Sequence, residues 1–396
     1  MRHWLLLPAA LAVTAASALT VMPAPPWVWA WKLAIAAGEF GQWFVAIPVA
    51  LGAAAAFLIR GGWRVAVVVL CAAAAACLLR PEFTAARMAS ELPMALERAL
   101  GPGPIEGDVF RWPELYRTGD PSGADMVTET YARPEGHELR LDFYRPRRRL
   151  AEHHPDSGSD ARPPCVVVIH GGGWDAGDRT QLAGWNHRLA LEGYAVASID
   201  YRLAPGSRWP APKEDTLAAL AWLKRNADRL GFDPASLVLL GRSAGAQIAE
   251  VVAYTARDPA IRGLIAIYGP SDLVFGYENT VENDTIGSRA LMRAYLGGTP
   301  AEQRTRYEDA SALGFVTAAS PPTLLVHGYL DMLAWHRHDE RLAVRLADAG
   351  VRHYFLSLPW ATHGFDYNLH GPGGQLTDYA IRRFLAAVTG KPAGKR

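Results

Sequence analysis

Residues 237–245 read Leu-Val-Leu-Leu-Gly-Arg-Ser-Ala-Gly, an apolar run that passes directly into a Gly-x-Ser-x-Gly turn. The apolar run predicts a buried strand, and the residues from Ala244 onward predict a helix. A strand, a sharp turn and a helix form the setting that lifts such a serine above a sheet with its hydroxyl exposed. Ser243 is therefore the candidate nucleophile. The first helical amide, that of Ala244, is a candidate hydrogen-bond donor beside it.

A second glycine turn lies upstream of this serine. Residues 165–169 are a mostly β-branched run that predicts a strand covered on both faces, and residues 170–174 then read His-Gly-Gly-Gly-Trp. Consecutive glycines let main-chain amides approach a ligand closely. We therefore predict that Gly171 and Gly172, together with Ala244, bind an oxyanion. The histidine of this turn is predicted to hold the loop rather than to carry protons.

A serine hydroxyl becomes a good nucleophile only when a base takes its proton, and an acid has to orient that base. His363, in the stretch Thr-His-Gly-Phe, follows the last predicted strand, and Asp331, in His-Gly-Tyr-Leu-Asp, follows the strand before it. The chain order of serine, acid and histidine suits a strand-and-helix sheet. Asp339 and Asp366 lie close enough in sequence to be alternative acids. The remaining histidines of this region are predicted to be surface or loop residues: His327, His336, His338 and His370.

Strands and helices alternate through residues 139–390, which predicts one α/β domain with a mostly parallel, doubly wound sheet. Every motif described above follows a predicted strand, and sites in such sheets gather at the carboxyl ends of the strands. We expect an insertion at about 272–310 to form a lid or cap. The polar stretch from Arg145 to Pro164 is predicted to be a solvated loop. The predicted strands are 139–144, 165–169, 194–199, 237–240, 264–268, 323–326 and 354–358.

The first eighty residues carry three apolar runs, near 4–22, 40–59 and 63–79. A bilayer core about 30 Å thick needs roughly 20 apolar residues per helix, so three transmembrane helices are predicted. Indole rings favour the headgroup boundary, and five tryptophans lie at or near the ends of these runs: Trp27, Trp29, Trp31, Trp43 and Trp63. The first run also fits a cleaved signal peptide, which would leave the other two runs in place.

The basic residues around these runs predict an orientation. Arg2 precedes the first run, and Arg60 and Arg64 lie in the Arg-Gly-Gly-Trp-Arg connection that leads into the third. Placing all three on the cytoplasmic side sends the catalytic domain into the periplasm or the exterior. Residues 81–138 are predicted to be a lead-in with little regular structure beyond a short helix near Met88 to Leu100.

Composition excludes several other classes of protein. The formal net charge of +1, from 40 basic and 39 acidic residues, gives no reason to expect a nucleic-acid partner. Cys71, Cys77 and Cys165 form no metal-ligand pattern and no disulfide framework. We therefore expect no metal and no cofactor, and the composition leaves the oligomeric state open.

From residue 139 to residue 388 the chain resembles the α/β-hydrolase superfamily, especially its hormone-sensitive-lipase-like and BD-FAE-type esterases. The turn at 170–174 looks like the HGGGW oxyanion motif of that branch, and Asp-Tyr-Arg-Leu-Ala-Pro at 200–205 looks like its DYRLAP segment. The turns at 241–245, 327–331 and 362–365 are similar to its nucleophile, acid and base motifs. Two departures are Arg242, where that branch commonly has an acidic residue, and Ala246, where a further glycine is frequent.

This resemblance implies hydrolysis of carboxylic esters through an acyl-enzyme, with a membrane anchor that makes lipid-like or cell-envelope esters plausible substrates. An amide hydrolase, similar to arylformamidases or peptidases, is the alternative on the same fold. A ligand-binding protein on an inactive hydrolase scaffold is a third reading, and the presence of His363 speaks against it. Trp174 and Tyr268 are candidate substrate-binding residues, with burial in the core as the alternative for each.

Overall fold

The structure, a computed structural model, describes residues 5–103, 107–147 and 162–390. Within those ranges the catalytic region is built on an eight-stranded sheet in the order β1-β2-β4-β3-β5-β6-β7-β8. Strands β1 and β2 lie antiparallel at one edge, and the other six strands, β3 to β8, are parallel to one another. The strands are β1 (Met126–Ala132), β2 (Leu139–Tyr144), β3 (Cys165–Ile169), β4 (Ala195–Ile199), β5 (Leu237–Arg242), β6 (Ile261–Ile267), β7 (Thr323–Gly328) and β8 (His353–Leu358).

The central strands lie under helices on both faces of the sheet, as their unbroken apolar sequences predict. All residues of β3, β4 and β5 are buried, and the two faces of the sheet belong to two separate apolar clusters. The helices of this region are α6 (Ala183–Leu191), α7 (Ala211–Leu230), α8 (Ala244–Thr255), α9 (Leu273–Asn279), α10 (Ser288–Leu296), α11 (Arg304–Asp309), α12 (Arg337–Asp348) and α13 (Pro372–Thr389). The predicted α/β architecture is therefore confirmed.

The parallel register brings the predicted motifs to one edge of the sheet. Ile169 pairs with Gly241, so the turn after β3 lies beside the turn after β5. The next strands in the sheet, β6, β7 and β8, end at the same edge. Residues far apart in sequence therefore meet there.

Residues 5–103 contain five α-helices, α1 (Leu6–Ser17), α2 (Val28–Glu39), α3 (Gly41–Phe44), α4 (Ala46–Leu58) and α5 (Gly62–Leu100). Helix α1 runs parallel to α5. Thr14 in α1 and Thr20 just after it donate from their hydroxyls to the carbonyl oxygens of Leu70 and Cys77 at 3.1 and 2.9 Å, so the two segments contact α5 in the same order along the chain. Helix α4 packs on α1 and on the first turns of α5. By length and apolar composition, residues 41–58 and helix α5 could cross a membrane, and the first apolar run forms a shorter apolar helix.

The prediction for residues 81–138 was wrong in two respects. Helix α5 does not end near residue 80 but continues through Pro81 and Pro93 for 39 residues in all. A proline inside a helix costs about 3 kcal/mol. Leu92, Leu96 and Leu100 lie on one face of this helix and are buried in the apolar cluster that includes α13 and β8, and this burial outweighs the cost.

The second error is that the same stretch contains β1, which extends the sheet beyond β2. Its sequence, Met-Val-Thr-Glu-Thr-Tyr-Ala, is polar enough to suit an edge strand, but pairing with β2 decides its conformation. Helix α2 was also not predicted. The loop predicted between Arg145 and Pro164 lies largely outside the described residues.

Candidate active site

Ser243 sits on a strained turn between β5 and α8. Its backbone has φ 52° and ψ −122°, a combination that L residues rarely adopt. The two flanking glycines leave no room for a side chain, since a β-carbon at Gly241 would lie 2.3 Å from a carbonyl oxygen and one at Gly245 would lie 2.2 Å from another. The sequence thus forces a sharp turn that projects the Ser243 hydroxyl above the sheet.

The hydroxyl, an imidazole and a carboxylate lie in line at this edge. Ser243 Oγ is 2.9 Å from Nε2 of His363, and Nδ1 of His363 is 2.7 Å from Oδ2 of Asp331. The other Asp331 oxygen accepts from the amides of Leu333 and Ala334 at 2.8 and 3.0 Å. Burial alone would raise the pKa of Asp331, but the imidazoles around it hold that pKa well below its usual range, so the carboxylate is charged.

His327 extends this line of polar groups to a second carboxylate. Its Nε2 lies 3.2 Å from Asp331 Oδ2, and its Nδ1 lies 2.9 Å from Asp339 Oδ2, with no exposed side-chain surface. Burial opposes protonation of His327, but the two carboxylates outweigh it and raise the pKa to about 10. The two carboxylates therefore favour the protonated form of this imidazole.

The prediction that four histidines are surface or loop residues was wrong about their exposure. All four are less than 9% exposed: His327, His336, His338 and His370. His338 faces the cleft described below, and burial lowers its pKa to about 3, so it is neutral there. Asp339, an alternative acid, touches His327 instead of His363.

The amides of the glycine turn differ from the prediction in one residue. The Gly171 N–H donates to Gln181 Oε1 at 2.8 Å, so it is not free for an oxyanion. In the described part of the chain the amides of Gly172, Gly173 and Ala244 donate to no protein acceptor. Gly173 and Ala244 line the cleft in front of Ser243. The available donors are therefore those of Gly172, Gly173 and Ala244, and nothing in the sequence pointed to Gln181.

Asp366 is a buried carboxylate, three residues after His363, that accepts hydrogen bonds from two other buried side chains. It accepts from Nε of Arg242 at 2.6 Å and from the Tyr268 hydroxyl, and it has no exposed surface. The Tyr268 ring lies 4.3 Å from the His363 ring. Tyr268 is buried and packs against the imidazole without lining the cleft, so of the two predicted roles the structure agrees with burial in the core and not with substrate binding. Asp366 was considered only as an alternative acid, three residues from the base.

A cleft opens in front of Ser243. Its walls are largely apolar, and residues of the 272–310 insertion, on α9, α10 and the loop between them, form one side of it; the loop after Asp331 contributes further residues. Trp174 lines the cleft, stacks on Tyr295 at 4.7 Å and donates from Nε1 to Gln247. The apolar lining includes Phe275, Ile286, Leu291, Met292, Leu333 and Trp335.

No group of three or more histidine, cysteine, aspartate and glutamate side chains is arranged to hold a metal ion in the ranges that the structure describes. Cys165 lies inside β3, where burial raises the pKa of its thiol beyond any physiological pH.

Comparison with known proteins indicates the same class as the geometry, an α/β hydrolase. The BD-FAE family model matches residues 153–346. Ethyl acetate hydrolase of Pseudomonas putida is 30% identical over 252 residues, which are 58% of this chain and 72% of that protein. The chain belongs to the α/β-hydrolase carboxylesterase family.

Two further relatives bear on the extent of the match. Esterase LipC of Mycobacterium tuberculosis is 31% identical over 245 residues, 57% of this chain and 58% of that protein. The chain thus spans less than two thirds of this curated relative. The solved structure of esterase LipW from Mycobacterium marinum has a TM-score of 0.52 at 25% identity and covers 80% of this chain and 91% of that one.

Proposed function

We propose that the protein is a membrane-anchored serine hydrolase that cleaves carboxylic esters through an acyl-enzyme. The observation that carries the proposal is the alignment of Ser243 Oγ, His363 and Asp331 at 2.9 and 2.7 Å beside free main-chain amides. The family relationship favours esters over amides. The apolar cleft favours an acyl or alcohol group without charge.

In the first half-reaction His363 Nε2 takes the proton of Ser243 as its oxygen attacks the ester carbonyl. The carbonyl oxygen becomes an oxyanion, which the amides of Gly172, Gly173 and Ala244 stabilise. His363 then gives the proton to the leaving alkoxide, and the alcohol departs. Asp331 keeps the imidazole in the tautomer with Nε2 free to accept and balances its charge when it is protonated.

In the second half-reaction His363 takes a proton from water, and the resulting hydroxide attacks the acyl-enzyme. The tetrahedral intermediate collapses to the free acid as Ser243 recovers its proton. One such donor amide contributes about 10²–10³-fold to kcat in serine hydrolases. These steps need no group beyond those at the edge of the sheet.

A series of p-nitrophenyl esters from acetyl to palmitoyl tests the reaction. We expect turnover by the wild type, a burst of p-nitrophenol equal to the enzyme concentration, and loss of turnover in Ser243→Ala. Undiminished turnover in Ser243→Ala would rule out the nucleophile. Cleavage of matched p-nitroanilides in preference to esters would instead favour the amide hydrolase.

The membrane part of the proposal is supported by the surface of the N-terminal helices. The side chains of Phe57, Trp63, Val65 and Val69 are 59–88% exposed, which would be costly in water but suits lipid. On α5, Trp63 and Phe83 are both exposed and lie 20 residues apart, or roughly 30 Å at 1.5 Å per residue, the thickness of a bilayer core. Aromatic rings at both levels are typical of a membrane span.

The orientation of the helices supports the predicted topology. Because α1 and α5 are parallel, Arg60 and Arg64 lie at the end of the bundle away from the catalytic region, with the start of α1. Flotation of the protein with liposomes in a sucrose gradient tests anchoring. Protease added to intact spheroplasts tests the side: digestion of the catalytic region is expected, and protection until lysis would reverse the orientation.

A further inference from the structure

Helix α2 joins the N-terminal helices directly to the segment that carries His363. It lies between α1 and α3, and one of its faces packs along residues 360–373. The residues of that face recur at spacings of three and four, as on one side of a helix: Trp31, Ile35, Gly38 and Glu39. This helix lies outside the residues matched by the family model.

Trp31 holds the main chain of the histidine itself. Its Nε1 donates to the carbonyl oxygen of His363 at 2.7 Å, and the two rings are 6.5 Å apart. One turn further on, Ile35 covers Gly364, where a β-carbon would come within 3.4 Å of Ile35 Cδ1. Gly364 has φ 80°, so the chain turns sharply there. The helix thus contacts both residues at the point where the loop reverses.

Glu39 fixes the same segment on either side of His363. Its carboxylate, 1% exposed, accepts from Trp360 Nε1 at 3.0 Å and from the Gly373 amide at 2.9 Å. Its carbonyl oxygen accepts from Asn368 Nδ2 at 2.7 Å. The Gly373 amide belongs to the first turn of α13. Burial raises the pKa of Glu39, and the hydrogen bonds from Trp360 and Gly373 oppose that rise.

The segment between β8 and α13 needs such external support. From residue 359 to residue 371 it contains no strand and no α-helix, and its regular structure is the single 3₁₀ turn Phe365–Tyr367. The reaction nevertheless requires His363 to stay within hydrogen-bonding distance of both Ser243 and Asp331. A displacement of about 1 Å in such an arrangement can cost on the order of 100-fold in rate.

We propose that Trp31 is a positioning residue for the reaction, which holds the main chain of His363 so that its imidazole stays between Ser243 and Asp331. This inference rests on the proposed serine-hydrolase function. It means that the N-terminal region completes the active site in addition to anchoring the protein, because α2 is fixed at both ends to the helices of that region.

The test compares Trp31→Phe with wild type in the full-length protein, in one detergent. Phenylalanine keeps an aromatic ring and removes the N–H donor. We expect kcat for p-nitrophenyl butyrate to fall about tenfold, with KM within about twofold because Trp31 does not line the cleft. Site-specific 7-azatryptophan, which keeps the N–H, should restore kcat.

Trp222→Phe is the matched control, since Trp222 lies on α7 and stacks with Arg229 at 5.7 Å. It should leave kcat unchanged. A fluorophosphonate labels Ser243 only in folded enzyme, so the rate constant of labelling measures the reactivity of the serine whatever fraction of each variant is folded. This rate constant should fall in Trp31→Phe alone.

The outcomes separate this inference from the proposed function. If Ser243→Ala is inactive but Trp31→Phe has wild-type kcat and labelling rate, Trp31 has no positioning role. Equal losses in both tryptophan variants, or a change in KM with constant kcat, would also overturn it. Turnover by Ser243→Ala would remove the proposed function itself.

Discussion

Nε of Arg242 lies 2.6 Å from Oδ2 of Asp366, and both side chains are at least 97% buried. This ion pair ties the turn that carries Ser243 to the turn that carries His363. It gives a physical reason for the departure from the acidic residue common at the position of Arg242: here the base turn supplies the acidic partner. The Arg242 guanidinium also lies over the Trp185 ring at 5.6 Å.

Removal of one partner of this pair should be costly, because the other is left as a buried unpaired charge. We expect Arg242→Gln and Asp366→Asn each to destabilise the protein by about 3–5 kcal/mol and to lower kcat. The double variant should be less destabilised than the sum of the two. Urea denaturation of all four proteins measures this coupling, and strict additivity would show that the pair does not join the two turns.

His327 predicts a pH dependence of stability. Its pKa is raised from 6.5 to about 10, so its contribution is fully present below pH 6.5 and is lost as the pH rises towards 10. His327→Asn should therefore destabilise the protein most at low pH, and the gap in melting temperature from wild type should narrow between pH 7 and pH 10. Differential scanning calorimetry measures the gap, and a constant gap across this range would mean that His327 is not charged.

Gly172 is predicted to tolerate no side chain. Its φ is 124°, and a β-carbon would lie 2.1 Å from the carbonyl oxygen of Ala176. Gly172→Ala should displace the amides of this turn and lower kcat about 100-fold, the effect of losing one oxyanion donor. Gly231→Ala is the control, since Gly231 also has positive φ but open space around it. Steady-state kinetics on p-nitrophenyl acetate decides, and equal kcat values for the two variants would exclude Gly172 from the site.

The cleft predicts how the preference for the acyl-chain length of the ester can be changed. Gly276 lines it, and a β-carbon there would be in ordinary contact with His338 at 3.4 Å, so a side chain can begin at this position without a backbone clash. Gly276→Val should lower kcat/KM for long acyl esters at least tenfold, about 1.4 kcal/mol, and leave acetyl esters nearly unchanged. Gly314→Val, at an exposed position with no neighbour, is the control. A uniform loss across the ester series would place the acyl chain elsewhere.

The sequence alone was sufficient for the local parts of this protein. The unbroken apolar strands, the glycine turns after β3 and β5, and the places of Asp331 and His363 after β7 and β8 follow from short-range patterns, because strand burial and turn geometry depend on adjacent residues. The α/β fold was predicted correctly for the same reason. Seven of the eight strands in the described ranges were predicted, with bounds that differ by a few residues.

Tertiary structure decided the contacts between segments far apart in the chain. The buried state of His327, the Gln181 contact that occupies the Gly171 amide, and the place of Tyr268 below His363 depend on the way the strand ends meet. The continuation of α5 through two prolines and the docking of Trp31 on His363 depend on burial against a surface that forms only when the whole chain folds. Local patterns carry no information about such partners, since the free energy of these contacts comes from residues up to 332 positions away.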